Sequence, residues 1–227
     1  MSSRLRYVAL GDSYTIGTAL TRVSDRWPDR LVAALGDELA GKGLPGETPP
    51  GEGAPALELV ANLAVNGFTS QDVIELELPR VPELSPAFVS LLVGVNDVVQ
   101  GVPPDRFAAN AAQILDALLE LLPANRLLTV ATPDYTVTPQ GASYGDPTVQ
   151  AAGIRAVNAI LRDLARQREV AFVDIYDLSL RAREDRSLVA VDGLHPSGAQ
   201  YALWVERIRP VVAALLAEAP VAGGQVS

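Results

Sequence analysis

The sequence has no cysteine, one histidine (His195) and one lysine (Lys42). Without cysteine there can be no disulfide, no thiol nucleophile and no thiolate ligand for a metal. A zinc site would have to combine the one imidazole with carboxylates, which is an uncommon ligand set. We therefore expect no metal, and any general-base catalysis by imidazole must use His195.

Long apolar runs are also missing. No stretch approaches the roughly 18 residues of a membrane span, and the N-terminus shows no signal-peptide pattern. The formal net charge of −9 argues against nucleic acid or an anionic membrane as the main partner. We expect a cytoplasmic protein without integral membrane association, unless a leader precedes this sequence.

The length and composition are those of an ordinary globular domain. Of 227 residues, 48% are hydrophobic and 20% are charged, and a chain of this length can bury a full-sized core. No interior linker or repeat divides the chain. We predict a single domain over residues 1–222, and we expect the glycine-containing tail at 223–227 to fray.

Short apolar runs alternate with longer helical patterns. The predicted strands cover residues 7–10, 57–60, 89–93, 127–131 and 170–173, and apolar stripes predict helices around Leu31, Phe107 and Ile154, with a last helix from about Ser197. This alternation predicts parallel strands joined by crossover helices on both faces, an α/β sandwich. Residues 41–55, rich in Gly and Pro, are predicted to be a loop, and Pro210 is predicted to kink or split the last helix.

Three polar or glycine-bearing segments follow predicted strands. Gly11-Asp12-Ser13 follows the first, Asn66-Gly67 the second and Gly94-Val95-Asn96-Asp97 the third. In an open parallel sheet, sites form just beyond the carboxyl ends of the strands. The three segments are therefore expected to converge on one edge.

Ser13, Asp192 and His195 are the parts of a serine-hydrolase triad. A serine hydroxyl is a weak nucleophile at neutral pH and needs an adjacent base. Imidazole can take its proton, while a carboxylate fixes the useful tautomer. Asp192 precedes His195 by three residues, in a loop with Gly193 and Pro196, and this spacing can return the carboxylate to Nδ1.

The negative oxygen that forms during acyl transfer needs preformed donors. The candidates are the backbone N–H groups of Ser13 and Gly67 and the side-chain amide of Asn96. Glycine suits position 67 because the backbone can approach a substrate oxygen with no Cβ in the way.

A competing nucleophile is Ser143, because Gly141-Ala142-Ser143-Tyr144-Gly145 matches the G-x-S-x-G elbow of α/β-hydrolases. That elbow needs a strand directly before it and a helix directly after it. Pro139 before the motif and Asp146-Pro147 after it argue against this context. We predict instead a flexible polar loop that borders the pocket.

The chain resembles the SGNH/GDSL hydrolase superfamily of esterases and lipases. Four of its blocks occur in order: Gly11-Asp12-Ser13-Tyr14, Asn66-Gly67, Gly94-Val95-Asn96-Asp97 and Asp192-Gly193-Leu194-His195-Pro196. The resemblance implies Ser13 as nucleophile, His195 as base and Asp192 as its orienter. It also implies an oxyanion hole of Ser13, Gly67 and Asn96, and a flavodoxin-like three-layer α/β/α sandwich with a five-stranded, mainly parallel sheet.

The reaction implied is hydrolysis of a small-molecule carboxylic ester through an acyl-enzyme on Ser13, with no cofactor. Short-chain acyl or acetyl esters are the first expectation. A lysophospholipid, a thioester or an acetylated carbohydrate is the alternative on the same fold. The candidate pocket walls are the aromatic residues Tyr14, Trp27, Phe68, Tyr135 and Tyr144, and for each of them a core or surface position is the alternative.

Two other classes of protein are compatible with parts of this pattern. One is a carbohydrate- or ligand-binding protein of the same fold without useful catalysis. The other is a metal-assisted phosphoesterase using Asp12, Asp97 and Asp192, which would lack the usual histidine ligands. In the hydrolase interpretation, Asp12 is a structural or capping carboxylate and Asp97 a supporting one.

Overall fold

The sheet has the architecture predicted from the sequence. The computed structural model describes residues 4–39 and 56–219, without the side chains of 37–39. Within these residues the strands are β1 (Leu5–Gly11), β2 (Leu57–Asn62), β3 (Phe88–Leu92), β4 (Leu127–Val130) and β5 (Ala171–Val173). They form one sheet in the order β2-β1-β3-β4-β5, with every pair parallel. This order is the flavodoxin-like one.

Helices cover both faces of the sheet. They are α1 (Ser13–Ile16), α2 (Trp27–Leu39), α3 (Ser70–Asp72), α4 (Val95–Val99), α5 (Pro104–Leu119), α6 (Pro147–Gln167), α7 (Tyr176–Leu180) and α8 (Gly198–Ala217). The pair α2 and α8 packs on one face, while α5 and α6 pack together on the other. The predicted three-layer α/β/α sandwich is confirmed.

β1 shows why its sequence is continuously apolar. Tyr7 and Ala9 belong to the core beneath α2 and α8, whereas Val8 and Leu10 belong to the core beneath α5. All four side chains are fully buried. A strand that is covered on both faces has no solvent side on which to place polar residues.

The last helix starts where the sequence predicted, because Ser197 is its N-cap and accepts a hydrogen bond from the Gln200 N–H. The helix continues through Pro210, so the predicted split does not occur. Pro210 has no N–H, so the carbonyl of Glu206, four residues earlier, has no donor within the helix. Both residues lie on the exposed side of α8. Water can satisfy that carbonyl on the exposed side.

The connection from β2 to β3 was not anticipated. It is an irregular helical segment that runs from α3 through a π-helix at Val73–Glu77 to 3-10 turns at Leu78–Arg80 and Pro82–Leu84. Pro79 has no N–H to donate, so a regular α-helix cannot continue through it. The predicted loop at 41–55 and the predicted tail at 223–227 lie outside the described residues.

The close contact between β1 and β3 gives a first prediction. Gly11 has φ +140, and a Cβ there would lie 2.0 Å from the carbonyl oxygen of Leu92 on β3. Gly11→Ala is therefore expected to lower the free energy of unfolding by about 3 kcal/mol or more, through strain and displacement of the strand. Urea unfolding followed by circular dichroism measures this change.

Gly36 in α2 is the matched control, since a Cβ added there meets no atom within 4 Å. Gly36→Ala is expected to stabilise the protein by about 0.5–1 kcal/mol, because alanine has the higher helix propensity. Equal effects of the two substitutions would contradict the account of Gly11.

Candidate active site

Ser13 lies at the carboxyl edge of the sheet, directly after β1. Asp12 is the N-cap of α1, and its Oδ1 accepts a hydrogen bond of 2.9 Å from the Tyr14 N–H. Ser13 is consequently the first residue of a one-turn helix and is held by the strand before it and the cap beside it. The capping role predicted for Asp12 is confirmed.

His195 is carried by a tight loop that the Val189–Pro196 bridge closes, just before the start of α8. Asp192 organises this loop, because its Oδ1 accepts hydrogen bonds of 3.0 Å from the backbone N–H groups of Leu194 and His195. Its Oδ2 lies 2.6 Å from His195 Nδ1. The carboxylate thus fixes both the loop backbone and the imidazole ring.

The charge on Asp192 is stabilised in this position. Partial burial raises the pKa of its carboxyl, but the hydrogen bonds from the His195 ring and from the Leu194 and His195 backbones outweigh it, and the net pKa is lowered. An ionised Asp192 favours a proton on Nδ1 of the imidazole. Nε2 is then the basic nitrogen.

One cleft of about 210 Å³ brings the predicted residues together. Its polar wall contains Ser13, His195, Gly67 and Asn96, with Asn66 beside them. Asp192 lies behind His195, on the other side of the imidazole. The remaining walls are aliphatic or aromatic: Tyr14, Val95, Val99, Tyr135, Tyr144 and Leu194.

The proposed oxyanion donors are held by a shared set of contacts. The Asn96 side-chain amide donates a 2.8 Å hydrogen bond to the Phe68 carbonyl, which leaves its second N–H for another acceptor. Gly67 has φ +87, a conformation that favours glycine. Its carbonyl accepts a 3.4 Å hydrogen bond from Gln100 Nε2, so the two donor segments are linked directly.

A buried hydrogen-bond network also links the segment after Gly67 to the segment that carries Asn96. Of its members, only Asp97 was predicted from the sequence. Asp97 accepts hydrogen bonds from both the N–H and the hydroxyl of Ser70, and the Asn110 amide donates to that hydroxyl at 3.0 Å. Burial raises the pKa of Asp97, although the bonds from Ser70 oppose this. The supporting role predicted for Asp97 is thus given a structural basis. In the sequence, the sign of such a network is Asn110, a polar residue at a position on the buried face of α5.

The aromatic predictions are only partly correct. Tyr14, Tyr135 and Tyr144 line the cleft; Tyr14 is 5.4 Å from the His195 ring, and Tyr144 packs edge-on against Tyr135. Trp27 is 0% exposed in the core beneath α2 and α8, so it takes the alternative role of a core residue and not that of a pocket wall. Phe68 contributes its carbonyl to Asn96 rather than a wall of the cleft.

Ser143 does not occupy a nucleophile elbow. It lies in an exposed 3-10 turn at Gly141–Tyr144, and another 3-10 turn at Tyr135–Val137 precedes it where the elbow needs a strand. Its hydroxyl is 3.3 Å from Gln140 Oε1. This segment borders the cleft through Tyr144, as predicted.

The carboxylates named for a metal-assisted mechanism are not assembled as a metal site. Across residues 4–39 and 56–219, no group of three His, Cys, Asp or Glu side chains is placed to hold a metal ion. In the same parts of the chain, no helix combines the length and the apolar character needed to cross a membrane.

Comparisons with known proteins identify the family of this chain and agree with its fold. The profile of the GDSL-like lipase/acylhydrolase family matches residues 9–203, while no curated protein matches. Similar solved structures include Axe2, an acetylxylan esterase from Geobacillus stearothermophilus, which is 16% identical over 93% of this chain and 96% of that chain (TM-score 0.66). TesA is 21% identical over 92% of this chain and 99% of that chain (TM-score 0.60). LAE5, an alpha/beta hydrolase enzyme from the metagenome of Lake Arreo in Spain, is 16% identical over 95% of this chain and 98% of that chain (TM-score 0.69).

The lowered pKa of Asp192 gives a prediction for stability. Asp192→Asn is expected to lower Tm at pH 7 by about 2–4 °C, the equivalent of about 1 kcal/mol. A depressed carboxyl pKa stabilises the fold above the pKa of the unfolded chain, and this stabilisation is lost as pH falls through the folded value. The difference in Tm should therefore shrink between pH 5 and pH 3.

Differential scanning calorimetry across this pH range makes the measurement. Glu120→Gln, which alters an exposed carboxylate at the end of α5, is the control and should leave Tm nearly unchanged. A Tm difference for Asp192→Asn that is the same at pH 3 and pH 7 would refute the electrostatic account.

Proposed function

The chain belongs to the GDSL-like lipase/acylhydrolase family and is an ester hydrolase, and on this premise we propose that it is a serine esterase with Ser13 as its nucleophile. The observation that carries the proposal is the 2.6 Å contact between Asp192 Oδ2 and His195 Nδ1. It orients an imidazole that lines the same cleft as Ser13. A serine is activated by a base that a carboxylate orients, and a shared cleft allows His195 to act on Ser13 in this way.

In the first step, the Ser13 Oγ attacks the ester carbonyl carbon while Nε2 of His195 takes the hydroxyl proton. The carbonyl oxygen becomes negative as the tetrahedral intermediate forms. The imidazolium is stabilised by the ionised Asp192 and then gives its proton to the leaving alcohol. The ester C–O bond breaks, and the acyl group remains on Ser13.

The developing negative oxygen is stabilised by the backbone N–H groups of Ser13 and Gly67 and by the Asn96 amide. The contact of Asn96 with the Phe68 carbonyl supports this role, because it fixes the amide before substrate binds. Preorganised donors need no rearrangement as charge develops, which makes them effective in a partly water-free cleft.

In the second step, His195 removes a proton from water, and the resulting oxygen nucleophile attacks the acyl carbon on Ser13. A second tetrahedral intermediate collapses as His195 returns the proton to Ser13 Oγ. The carboxylic acid leaves and the enzyme is restored. No cofactor takes part in either step.

The cleft favours a short acyl group. Its volume of about 210 Å³ lies below the roughly 300–1,000 Å³ of typical drug-sized sites. Val95, Val99 and Leu194 supply apolar wall area, but the space is too small to enclose a long lipid chain. We therefore propose acetyl to butyryl esters as substrates.

An acetylated carbohydrate is the second candidate. Tyr144 lines the cleft and is 44% exposed, and an exposed aromatic ring beside a cleft can pack against a flat apolar partner such as the face of a sugar. Axe2 is an acetylxylan esterase, and its activity is compatible with this candidate.

Ser13→Ala is expected to reduce kcat for 4-nitrophenyl acetate by about 10⁴-fold or more, because the nucleophile is lost. Ser143→Ala is the matched control and should retain wild-type kcat within about twofold. A fluorophosphonate should add to wild type and to Ser143→Ala at Ser13, as located by peptide mass spectrometry, and should not add to Ser13→Ala.

The reverse pattern, with activity lost only in Ser143→Ala, would assign the nucleophile to Ser143. A wild-type protein that is neither labelled nor active on any ester would favour the ligand-binding alternative.

The acyl-chain preference is tested with 4-nitrophenyl esters from acetate to decanoate, beside acetylated xylan and a lysophospholipid. We expect kcat/KM to fall by about tenfold or more between butyrate and octanoate, because longer chains leave apolar area unburied outside the cleft. Val99→Ala, which removes part of the apolar wall and so enlarges the cleft, should shift the preference by one or two methylene groups towards longer chains. A maximum at octanoate or longer would contradict the short-acyl assignment.

A further inference from the structure

Two carboxyl groups are buried directly behind the segment that carries Ser13. Asp12 is 0% exposed and Glu77 is 1% exposed. Glu77 Oε2 accepts a 2.9 Å hydrogen bond from the Gly11 N–H, and Asp12 Oδ1 accepts one from the Tyr14 N–H. The two acids therefore hold the backbone on either side of Ser13: Glu77 binds Gly11, two residues before it, and Asp12 binds Tyr14, one residue after it.

The second oxygen of each acid is buried without a hydrogen bond. Within the described parts of the chain, Asp12 Oδ2 and Glu77 Oε1 have no partner. A buried carboxylate left in this state is costly, whereas a neutral carboxylic acid costs far less. The geometry thus favours a proton on the pair.

The charged surroundings do not compensate for two negative charges. Burial is the main cause that raises the pKa of each acid to about 8, opposed by the hydrogen bonds from Tyr14 to Asp12 and from Gly11 to Glu77. Near Asp12, the carboxyl of Asp97 raises the pKa further. Near Glu77, Asp12 and Asp72 raise the pKa while Arg80 lowers it.

The segment that carries Glu77 also packs against α5. The buried face of α5 is uncharged: Phe107, Asn110, Ala111, Ile114, Leu115 and Leu118. The phenols of Tyr14 and Tyr201 also face Asp12, and burial together with this carboxyl raises their pKa well above the ordinary value. Both phenols are therefore neutral at neutral pH.

The irregular segment between β2 and β3 delivers Glu77 to this place. Val73, Glu77 and Val81 are all buried, and their spacing of four residues puts them along one face of the segment. The π-turn, in which the Leu78 N–H bonds to the Val73 carbonyl, widens the helix just where Glu77 points inward. Such π-turns are frequent at functional sites.

We propose that Asp12 and Glu77 form a buried acid pair that positions Ser13 and does so only while the pair holds at least one proton. This inference rests on the proposed role of Ser13 as nucleophile. The charge of Asp12 is one of the causes that raise the pKa of Glu77. When the last proton leaves to solvent, two like charges therefore remain in the same buried region, and the backbone around Gly11 must shift to relieve them. Asp12 and Glu77 are positioning residues, since neither lines the cleft.

The first test is the dependence of kcat on pH from 7 to 9.5, with the spontaneous hydrolysis of the ester subtracted at each pH. In wild type, kcat should fall by about tenfold at pH 9.5 as the pair loses its last proton, while KM stays nearly constant. Glu77→Gln keeps an oxygen acceptor for the Gly11 N–H and cannot ionise. It should remove the alkaline fall and keep most of the kcat at pH 7.

Asp12→Asn should also remove the alkaline fall, since one permanent neutral partner is enough. Glu75→Gln, on the exposed side of the same segment, is the matched control and should titrate like wild type. Glu77→Leu removes the acceptor and should lower kcat at every pH by about 10- to 100-fold. An alkaline fall that persists unchanged in Glu77→Gln, or is absent from wild type, would overturn the proposal.

A second measurement needs neither catalysis nor a variant. Infrared difference spectra of wild type between pH 7 and pH 9.5 should show the loss of a protonated carboxyl band and the gain of a carboxylate band. Spectra without this change would overturn the acid pair even if all variants failed to fold. Full activity of Ser13→Ala, with the infrared change present, would instead refute the assignment of Ser13 and leave the acid pair intact.

Discussion

The structure depends on the place where β1 ends at Gly11, because four parts of the chain meet there. The missing Cβ lets the backbone approach the Leu92 carbonyl of β3. The Gly11 N–H is bound by Glu77, and its carbonyl accepts a hydrogen bond from Val65, after β2. Ser13 lies two residues after Gly11, so β2 and β3, the strands on both sides of β1, determine where its hydroxyl lies.

Much of the fold and of the candidate site could be predicted from the sequence. The strands were visible because a sheet covered on both faces leaves apolar runs such as Tyr7–Leu10, and the end of each run marks the edge where polar residues collect. Asp192 and His195 could be paired from the sequence because they lie within one short loop. Both kinds of signal are local in sequence, and each survives in the structure.

The features that were missed depend on contacts between distant segments. Glu77 lies four residues from each of two buried valines, Val73 and Val81, and so shares their face of the segment. A charged residue at such a position usually indicates the end of an apolar face. Only the contact with Gly11, which is 66 positions away, shows that the carboxyl is placed inward. The role of Trp27 also stayed open in the sequence, because an aromatic residue can line a pocket or lie in the core, and only packing distinguishes the two.

The relative placement of Ser13 and His195 is a separate problem, since the two residues are 182 positions apart in the sequence. The structure solves it through α8. The Tyr201 hydroxyl, on the first turns of this helix, donates a 2.9 Å hydrogen bond to the Tyr14 carbonyl, while Ser197 caps the helix just after His195. The helix that starts at the His195 loop is thus bonded to the turn that carries Ser13. Because α8 also packs against α2 and the sheet, the distance between the serine and the imidazole is set by the core rather than by the exposed loops.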